Sequence, residues 1–401
     1  MPRYLTAEEA ADELDIAKNT LYAYVSRGLL RSEPADEGHR ARRYRADDVQ
    51  RLKRRTQQRT DPEAAARTAL DWGLPVAESA LTLIKDGLFY YRGHDACHLA
   101  KTHSLEDVAS LLWDTDDRID INSTSLPAYE RPSSDPESTL GQMQALLPQM
   151  EDTDDHAYDR SKAGIVRTGS RLMDLLTTLV ESNHGTERPG PVAERLGIAW
   201  KVKETALPLL NAALVLSADH GLNVTAFAVR CVASSGTTPY GAVSAGLSTV
   251  RGRRHTGNTA RIAALLQEAG SPEQFRATVR ARLRRGDTVP GFGHRLYPDG
   301  DPRAQMILEM LQATRPMSTG TAFAEAAQTV GPDLLDRPPA FDFALVALER
   351  TLDLPSGAAL TLFALGRMVG WTGHMIEQYE EGQVIRPRAQ YVGPPPKTGA
   401  A

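Results

Sequence analysis

Apolar side chains recur at helical spacing along most of the chain, in stretches broken by short polar turns. The first stretch opens on Thr6 and Glu9, a pair whose side chains can reciprocally satisfy the free N–H groups of a helix start. The pattern predicts a short helix over Ala7 to Leu14, a turn at Asp15-Ile16-Ala17, and a second helix from Lys18 that stops at Gly28. A turn-rich stretch from Glu33 to Gly38 leads into the basic run His39-Arg40-Ala41-Arg42-Arg43-Tyr44-Arg45, which reads as a two-stranded wing. A third helix is expected from near Ala46 to Arg59, and Thr56 to Pro62 reads as a helix end or hinge. Beyond it the pattern is mainly α-helical, with few strand signals and no internal repeat. Leu81, Leu83, Ile84 and Leu88 gather around Lys85-Asp86-Gly87, ahead of Phe89-Tyr90-Tyr91. The acidic segments Ser133 to Ser138 and Glu151 to Asp159 read as solvated, flexible loops, and Pro394 to Ala401 as a disordered tail.

A chain of 401 residues has room for two or three domains and a large core. Its content, 41% hydrophobic and 24% charged, is that of an ordinary water-soluble globular protein. The net charge of -5 means that a nucleic-acid partner has to be argued from a local basic patch. Cys97 and Cys231 stand far apart in no ligand pattern, which points to a reducing compartment and away from a disulfide framework or a metal site. The N-terminus lacks the layout of a signal peptide, and no apolar run approaches the ~18 residues of a membrane span. The expected location is the cytoplasm, with no membrane partner.

The basic residues of the first segment are placed as a duplex reader would need them. Lys18, Asn19, Thr20 and Tyr22, near the start of the second helix, offer donors to base edges and phosphates of a major groove. Arg40, Arg42, Arg43 and Arg45 would meet phosphates from the wing. The competing readings are a solvated face, or a grip on an acidic surface of the same protein. Glu8, Glu9, Asp12, Glu13 and Asp15 leave the segment only mildly basic. Its order of helix, turn, helix, wing and helix is similar to the winged helix-turn-helix of MerR-type regulators.

Four stretches of the body carry chemistry. Ser217-Ala218-Asp219-His220-Gly221-Leu222-Asn223 could be no more than a helix cap, and Gly252-Arg253-Arg254-His255-Thr256-Gly257-Asn258 no more than a basic turn. The run Val289-Pro290-Gly291-Phe292-Gly293-His294, continuing through Asp301-Pro302-Arg303, is more specific. Its glycines expose main-chain amides and permit unusual dihedral angles beside a histidine. The fourth set comprises Phe341-Asp342, Gly366-Arg367 and Ile385-Arg386. Alone, Asp342 would read as a helix cap and Arg367 as a structural ion-pair partner.

Taken together, in this order, the stretches resemble citrate synthase of the type II-like group, over roughly residues 75 to 393. The resemblance implies an all-α fold with a large and a small helical domain closing on a site between them. The domain boundaries expected are 1–60 for the winged helix-turn-helix, 61–255 and 351–401 for the large domain with its tail, and 256–350 for the small domain. It implies that Asp342 takes a proton from the methyl group of acetyl-CoA, that His255 hydrogen-bonds the thioester oxygen, and that His294 polarises the carbonyl of oxaloacetate. Arg303, Arg367 and Arg386 would bind the dicarboxylate, helped by His220 and Asn223, with Arg386 donated across a homodimer. Val289, Pro290, Gly291, Phe292 and Gly293 would contact CoA. The thioester is a substrate, and neither a cofactor nor a metal is implied.

These residue types suit the reaction. A thioester α-proton is weakly acidic, so a carboxylate removes it only if the developing oxyanion is stabilised at the same moment. A dicarboxylate calls for fixed positive charge, and the planar arginine fork matches each carboxylate with two parallel bonds. Two departures from the family pattern stand out. The small Gly-Gly-Ala that follows its histidine is replaced here by Thr256-Gly257-Asn258, with Arg253 and Arg254 in front. Pro298 stands where many relatives place a basic residue for the CoA phosphates, and Arg280, Arg282, Arg284 and Arg285 are candidate substitutes. The leading expectation is an acyltransferase making citrate from acetyl-CoA and oxaloacetate. The alternatives are 2-methylcitrate synthesis from propionyl-CoA, a DNA-binding metabolite sensor built on the same body, and an N-terminal module for protein contacts.

Overall fold

The computed structural model describes residues 4–14, 16–26, 30–34, 42–45, 49, 77–116, 119, 121, 139–186, 188–252, 258–389 and 391–394. The chain divides into two compact units, Met1–Glu78 and Ser79–Ala401.

In the first unit Thr6 and Glu9 form the capping box that their spacing predicts. The Thr6 amide donates to Glu9 Oε2 at 2.8 Å, and the Glu9 amide to Thr6 Oγ1 at 3.2 Å. The helix Ala7–Leu14 follows, then Lys18–Ser26. The strands Tyr4–Leu5, Arg42–Arg45 and Ser32–Pro34 pair antiparallel with Arg42–Arg45 in the middle. Alternation along that strand sends Tyr44 inward, where it packs with Ala10, Ala11, Leu21, Leu30 and Val49. The third helix lies outside the described residues apart from Val49, as do the hinge at 56–62, the acidic segment 133–138 and most of the tail.

The body is helical, but it opens with a sheet that the helical reading of its sequence leaves out. Thr82–Lys85 pairs with Leu88–Tyr91, which pairs with His94–Asp95. Asp86 (φ 53°) and Gly87 (φ 79°) lie between the first two strands; both are left-handed, as the tight hairpin turn matching strand twist requires. The Asp-Gly step was the signal, and the run of leucines around it masked the alternation.

The helices Leu207–Ser217 and Ala358–Glu381 form the centre of the body. The second is buried along most of its 24 residues. Gly366 and Gly370, one turn apart, let it approach the other helix closely. A Cβ at either position would collide with the carbonyl oxygen of Leu214 or Ala218. The Gly370 amide donates to Ala218 O at 2.9 Å, locking the approach. Trp113 and Trp371 fix the same helix from its other sides, through Nε1 bonds to Val369 O and Thr225 Oγ1.

The segment Glu151 to Asp159 is for the most part the exposed loop its composition suggests, but it is anchored at both Asp154 and Ala157. Its first residues end the helix Thr139–Asp152. Asp154 is buried, accepting a bond from Tyr240 at 2.8 Å and pairing with Arg171 at 3.2 Å. Composition counts charges and cannot see which of them find partners.

Candidate active site

The close approach at Gly366 and Gly370 places the intervening Arg367 against the turn that ends the helix Leu207–Ser217. Arg367 is wholly buried, with Nη1 3.6 Å from Asp219 Oδ1 and the guanidinium 4.9 Å over the Phe363 ring. Its Nε and Nη1 have no hydrogen-bond partner. Buried charged donors left open in this way are ready for an anion, because leaving them unpaired is costly. Asp219 accepts bonds from Thr82 Oγ1 (2.6 Å) and Gly221 N (3.0 Å), and His374 Nε2 lies 3.3 Å away. Burial would raise the Asp219 carboxyl, but His374 and Arg367 outweigh it and hold it below its usual range. The hairpin braces this turn, with Thr82 on the carboxylate and Tyr91 Oη donating to Val215 O at 2.9 Å.

Arg303 is fixed differently. Asp301 caps the helix Pro302–Thr314 and grips the guanidinium with both oxygens, at 3.0 Å to Nε and 2.7 Å to Nη2. Both side chains are buried, and the guanidinium stacks 4.7 Å over Phe341. Burial disfavours the charge, but Asp301 outweighs it and raises the guanidinium pKa further.

His294 sits in the turn leading toward this helix. The Leu296 amide donates to its Nδ1 at 3.2 Å, so the neutral ring carries its proton on Nε2. Burial, aided by the charge of Arg303, pulls the His294 pKa below the usual histidine value, which favours that neutral form. His220 packs edge-on against it, ring centroids 5.3 Å apart, and His220 Nε2 shares a 2.8 Å hydrogen bond with Tyr297 Oη.

Gly291 and Gly293 have φ values of 90° and 79°, and a Cβ on Gly293 would strike Arg337. Only glycine suits such a loop. The loop is laced to the strand-like segment before the next helix: Gly293 N donates to Pro338 O at 2.8 Å, and Ala340 N to Gly291 O at 2.9 Å. That helix, Phe341–Thr351, has Ala340 as its N-cap with no side-chain capping bond. Asp342 is its second residue, so its carboxylate is not consumed as the cap. It is half-buried in the cavity wall, and desolvation pushes its carboxyl up to about 6 despite the opposing charge of Arg303 and a 3.5 Å contact from Asn258 Nδ2.

These elements enclose a cavity of about 370 Å³ lined by His220, Asn223, Asn258, Arg261, Gly291, Phe292, Gly293, His294, Arg303, Phe341, Asp342 and Arg367, among others. Asn223 is also the helix cap it could have been, its Oδ1 accepting from the amides of Thr225 and Ala226. Val289, Pro290 and Arg386 are not on the cavity wall; Arg386 is exposed on the segment after the helix Ala358–Glu381. His255 lies outside the described residues. Arg282 and Arg285 are engaged by Glu268, and Arg285 also by Asp287, so neither is a spare cation. Among the described residues no group of three or more His, Cys, Asp or Glu could hold a metal.

Sequence reasoning missed the residues that hold the site rather than face it. Asp301 stands inside the quoted run, two places before Arg303, and that spacing at a helix start was its signal. Asp219 is adjacent to His220. His374 carries only a weak local signal, Glu377 one helical turn on; Asp219 reaches it only in the fold, and together the two carboxylates outweigh the effect of burial and raise its pKa.

In the N-terminal unit, Lys18 and Asn19 are exposed and Tyr22 is half-exposed. Lys18 pairs with Glu8 at 3.3 Å, Arg43 with Glu33 at 3.7 Å, and Arg42 donates to Ser32 Oγ. Arg40 lies outside the described residues.

Comparison with known proteins agrees with this arrangement. Residues 4–57 match a helix-turn-helix domain family. Citrate synthase 2 of Bacillus subtilis is 26% identical over 355 residues, covering 80% of this chain and 95% of the relative. A 2-methylcitrate synthase of Mycobacterium tuberculosis is 28% identical over 344 residues, covering 76% and 84%. Among solved structures, citrate synthase of Thermotoga maritima superposes with a TM-score of 0.69 at 25% identity, covering 82% of this chain and 96% of that one. Citrate synthase of Thermoplasma acidophilum, solved as a ternary complex with carboxymethyl coenzyme A and oxaloacetate, shares the fold with a TM-score of 0.72 at 21% identity and the same coverage. Residues 69–388 match the citrate synthase C-terminal domain family, and with the cavity they enclose they show that this chain belongs to the citrate synthase family.

Proposed function

We propose that this chain condenses acetyl-CoA with oxaloacetate and water to give citrate and CoA. The observation that carries the proposal is one cavity holding a half-buried carboxylate with a raised pKa, a neutral histidine and two fixed arginines. Asp342 takes a proton from the thioester α-carbon; a pKa near 6 leaves it ionised at neutral pH yet more basic than a solvated carboxylate. The resulting enol or enolate attacks the ketone carbon of oxaloacetate. The Nε2–H of His294 polarises that ketone and delivers its proton to the oxygen as the C–C bond forms. Arg303 and Arg367 hold the dicarboxylate. His255 is assigned the thioester oxygen by family resemblance alone. Water then cleaves the citryl thioester and releases CoA.

The exposure of Arg386, which does not line its own cavity, supports a dimer in which each copy supplies this arginine to the other. The Mycobacterium tuberculosis relative supports propionyl-CoA as the competing substrate. A difference of one methylene changes binding by only ~1–3 kcal/mol. The exposed start of the helix Lys18–Ser26 supports DNA as a partner of the N-terminal unit.

The test is CoA release from acetyl-CoA and from propionyl-CoA, each with oxaloacetate, with Asp342→Ala as control. Acetyl-CoA turnover that vanishes in the variant is the expected result. A propionyl-CoA preference moves the chain to methylcitrate synthesis, and no turnover from folded protein sinks the proposal.

A further inference from the structure

Asn258 and Arg261 stand three residues apart at the start of the helix Asn258–Ala269, so they share a face. Both line the cavity that holds Asp342. Arg261 donates from Nη2 to Thr288 Oγ1 at 2.6 Å, which ties its guanidinium to the residue just ahead of the Val289–Gly293 loop. No carboxylate stands within ion-pair distance of Arg261 among the described residues.

The other two arginines of the cavity wall and two on the helix Pro272–Arg285 face carboxylates. Arg303 is gripped by Asp301, Arg367 faces Asp219, and Arg282 and Arg285 are paired with Glu268 and Asp287. Arg261 is exposed at the cavity wall, and no carboxylate among the described residues competes with a ligand for its charge. The dicarboxylate already has Arg303 and Arg367. Arg261 lies instead on the helix that reaches Asp342, the side on which the proposed thioester presents its α-carbon.

On the reading of the site as a CoA-thioester enzyme, we propose that Arg261 determines specificity for the thioester by pairing with an anionic group that it carries. A planar fork anchored at one nitrogen keeps its remaining donors pre-oriented for phosphate or carboxylate oxygens. The anion is either a phosphate of CoA, for which Pro298 leaves the expected basic position vacant, or a carboxylate on the acyl chain.

Calorimetric binding on the full chain tests this, comparing wild type with Arg261→Gln and Arg261→Lys. The probes are CoA, pantetheine, acetyl-CoA, succinyl-CoA and oxaloacetate, and melting temperatures verify folding. A loss of about tenfold or more for CoA and acetyl-CoA in Arg261→Gln, with pantetheine and oxaloacetate unchanged, identifies a phosphate as the anion. A loss confined to succinyl-CoA identifies an acyl carboxylate. In either case Arg261→Lys recovers part of the affinity. Thioester affinities equal to wild type in folded Arg261→Gln overturn the proposal while leaving the function intact. Absence of thioester binding in the wild-type protein overturns both.

Discussion

In the N-terminal unit Lys18 meets Glu8 at 3.3 Å with side chains 50% and 74% exposed, while in the body Arg303 meets Asp301 at 2.7 Å with 5% and 1% exposed. The two pairs use similar chemistry in different dielectrics. Water screens the first, so it holds little energy and remains free to exchange partners. The second is fixed, because neither charge can be left alone in the interior. The surface of the N-terminal unit is suited to charge presented for contact; the body converts charge into altered proton affinity and open donors. The contrast separates two kinds of polar residue that look alike in a sequence.

The sharpest way to break the contrast is to remove the half-buried carboxylate assigned to proton transfer. Asp342→Ala is expected to lower turnover by about 10²–10⁴, read as CoA release, with the fold retained. Next comes Asp219→Asn, which leaves Arg367 and His374 buried with less compensation. A stability loss of about 3–5 kcal/mol is expected in denaturant titration, with weakened oxaloacetate binding.

Asp342→Asn tests the cost of holding a base in the interior. Its folded pKa, about 6, lies above the unfolded value, so ionisation on raising the pH costs stability through that interval. The variant is expected to gain roughly 2–3 kcal/mol at pH 8 and almost nothing near about pH 3, seen as a melting-temperature difference that closes on acidification. The same titration sets an acid limb in kcat/KM, with activity falling below about pH 6. Asn258→Ala removes the amide that favours the ionised form and is expected to move this limb to higher pH; Arg303 and Asp301, the other charges acting on Asp342, remain in place. The smallest effect is expected from Lys18→Ala, at ~0–1 kcal/mol of stability and no change in turnover. A large loss there would break the contrast between the units.

The legible parts of the molecule were those set by short-range chemistry. The Thr6–Glu9 capping box, the Gly291 and Gly293 loop and the predominance of helix follow from neighbours a few residues apart. Asp342 was recognisable only as a member of an ordered set, since an aspartate at a helix start reads alone as a cap. The strand pair Thr82–Lys85 and Leu88–Tyr91 was missed because its alternation is short and its apolar residues also suit a helix. Asp154 was misjudged because an acidic run gives no sign of Tyr240 and Arg171, far along the chain.

The sequence by itself determined the family, the order of the chemical groups and the residues available for the reaction, because residue type and local spacing suffice for these. Tertiary structure alone decided which charges are compensated. It brought Asp219 to both Arg367 and His374 across the Gly366–Gly370 approach, and among the described residues it left Arg261 without a carboxylate partner. Proton affinity and open hydrogen-bonding capacity depend on burial and on partners distant in the chain, and those exist only once the helices pack.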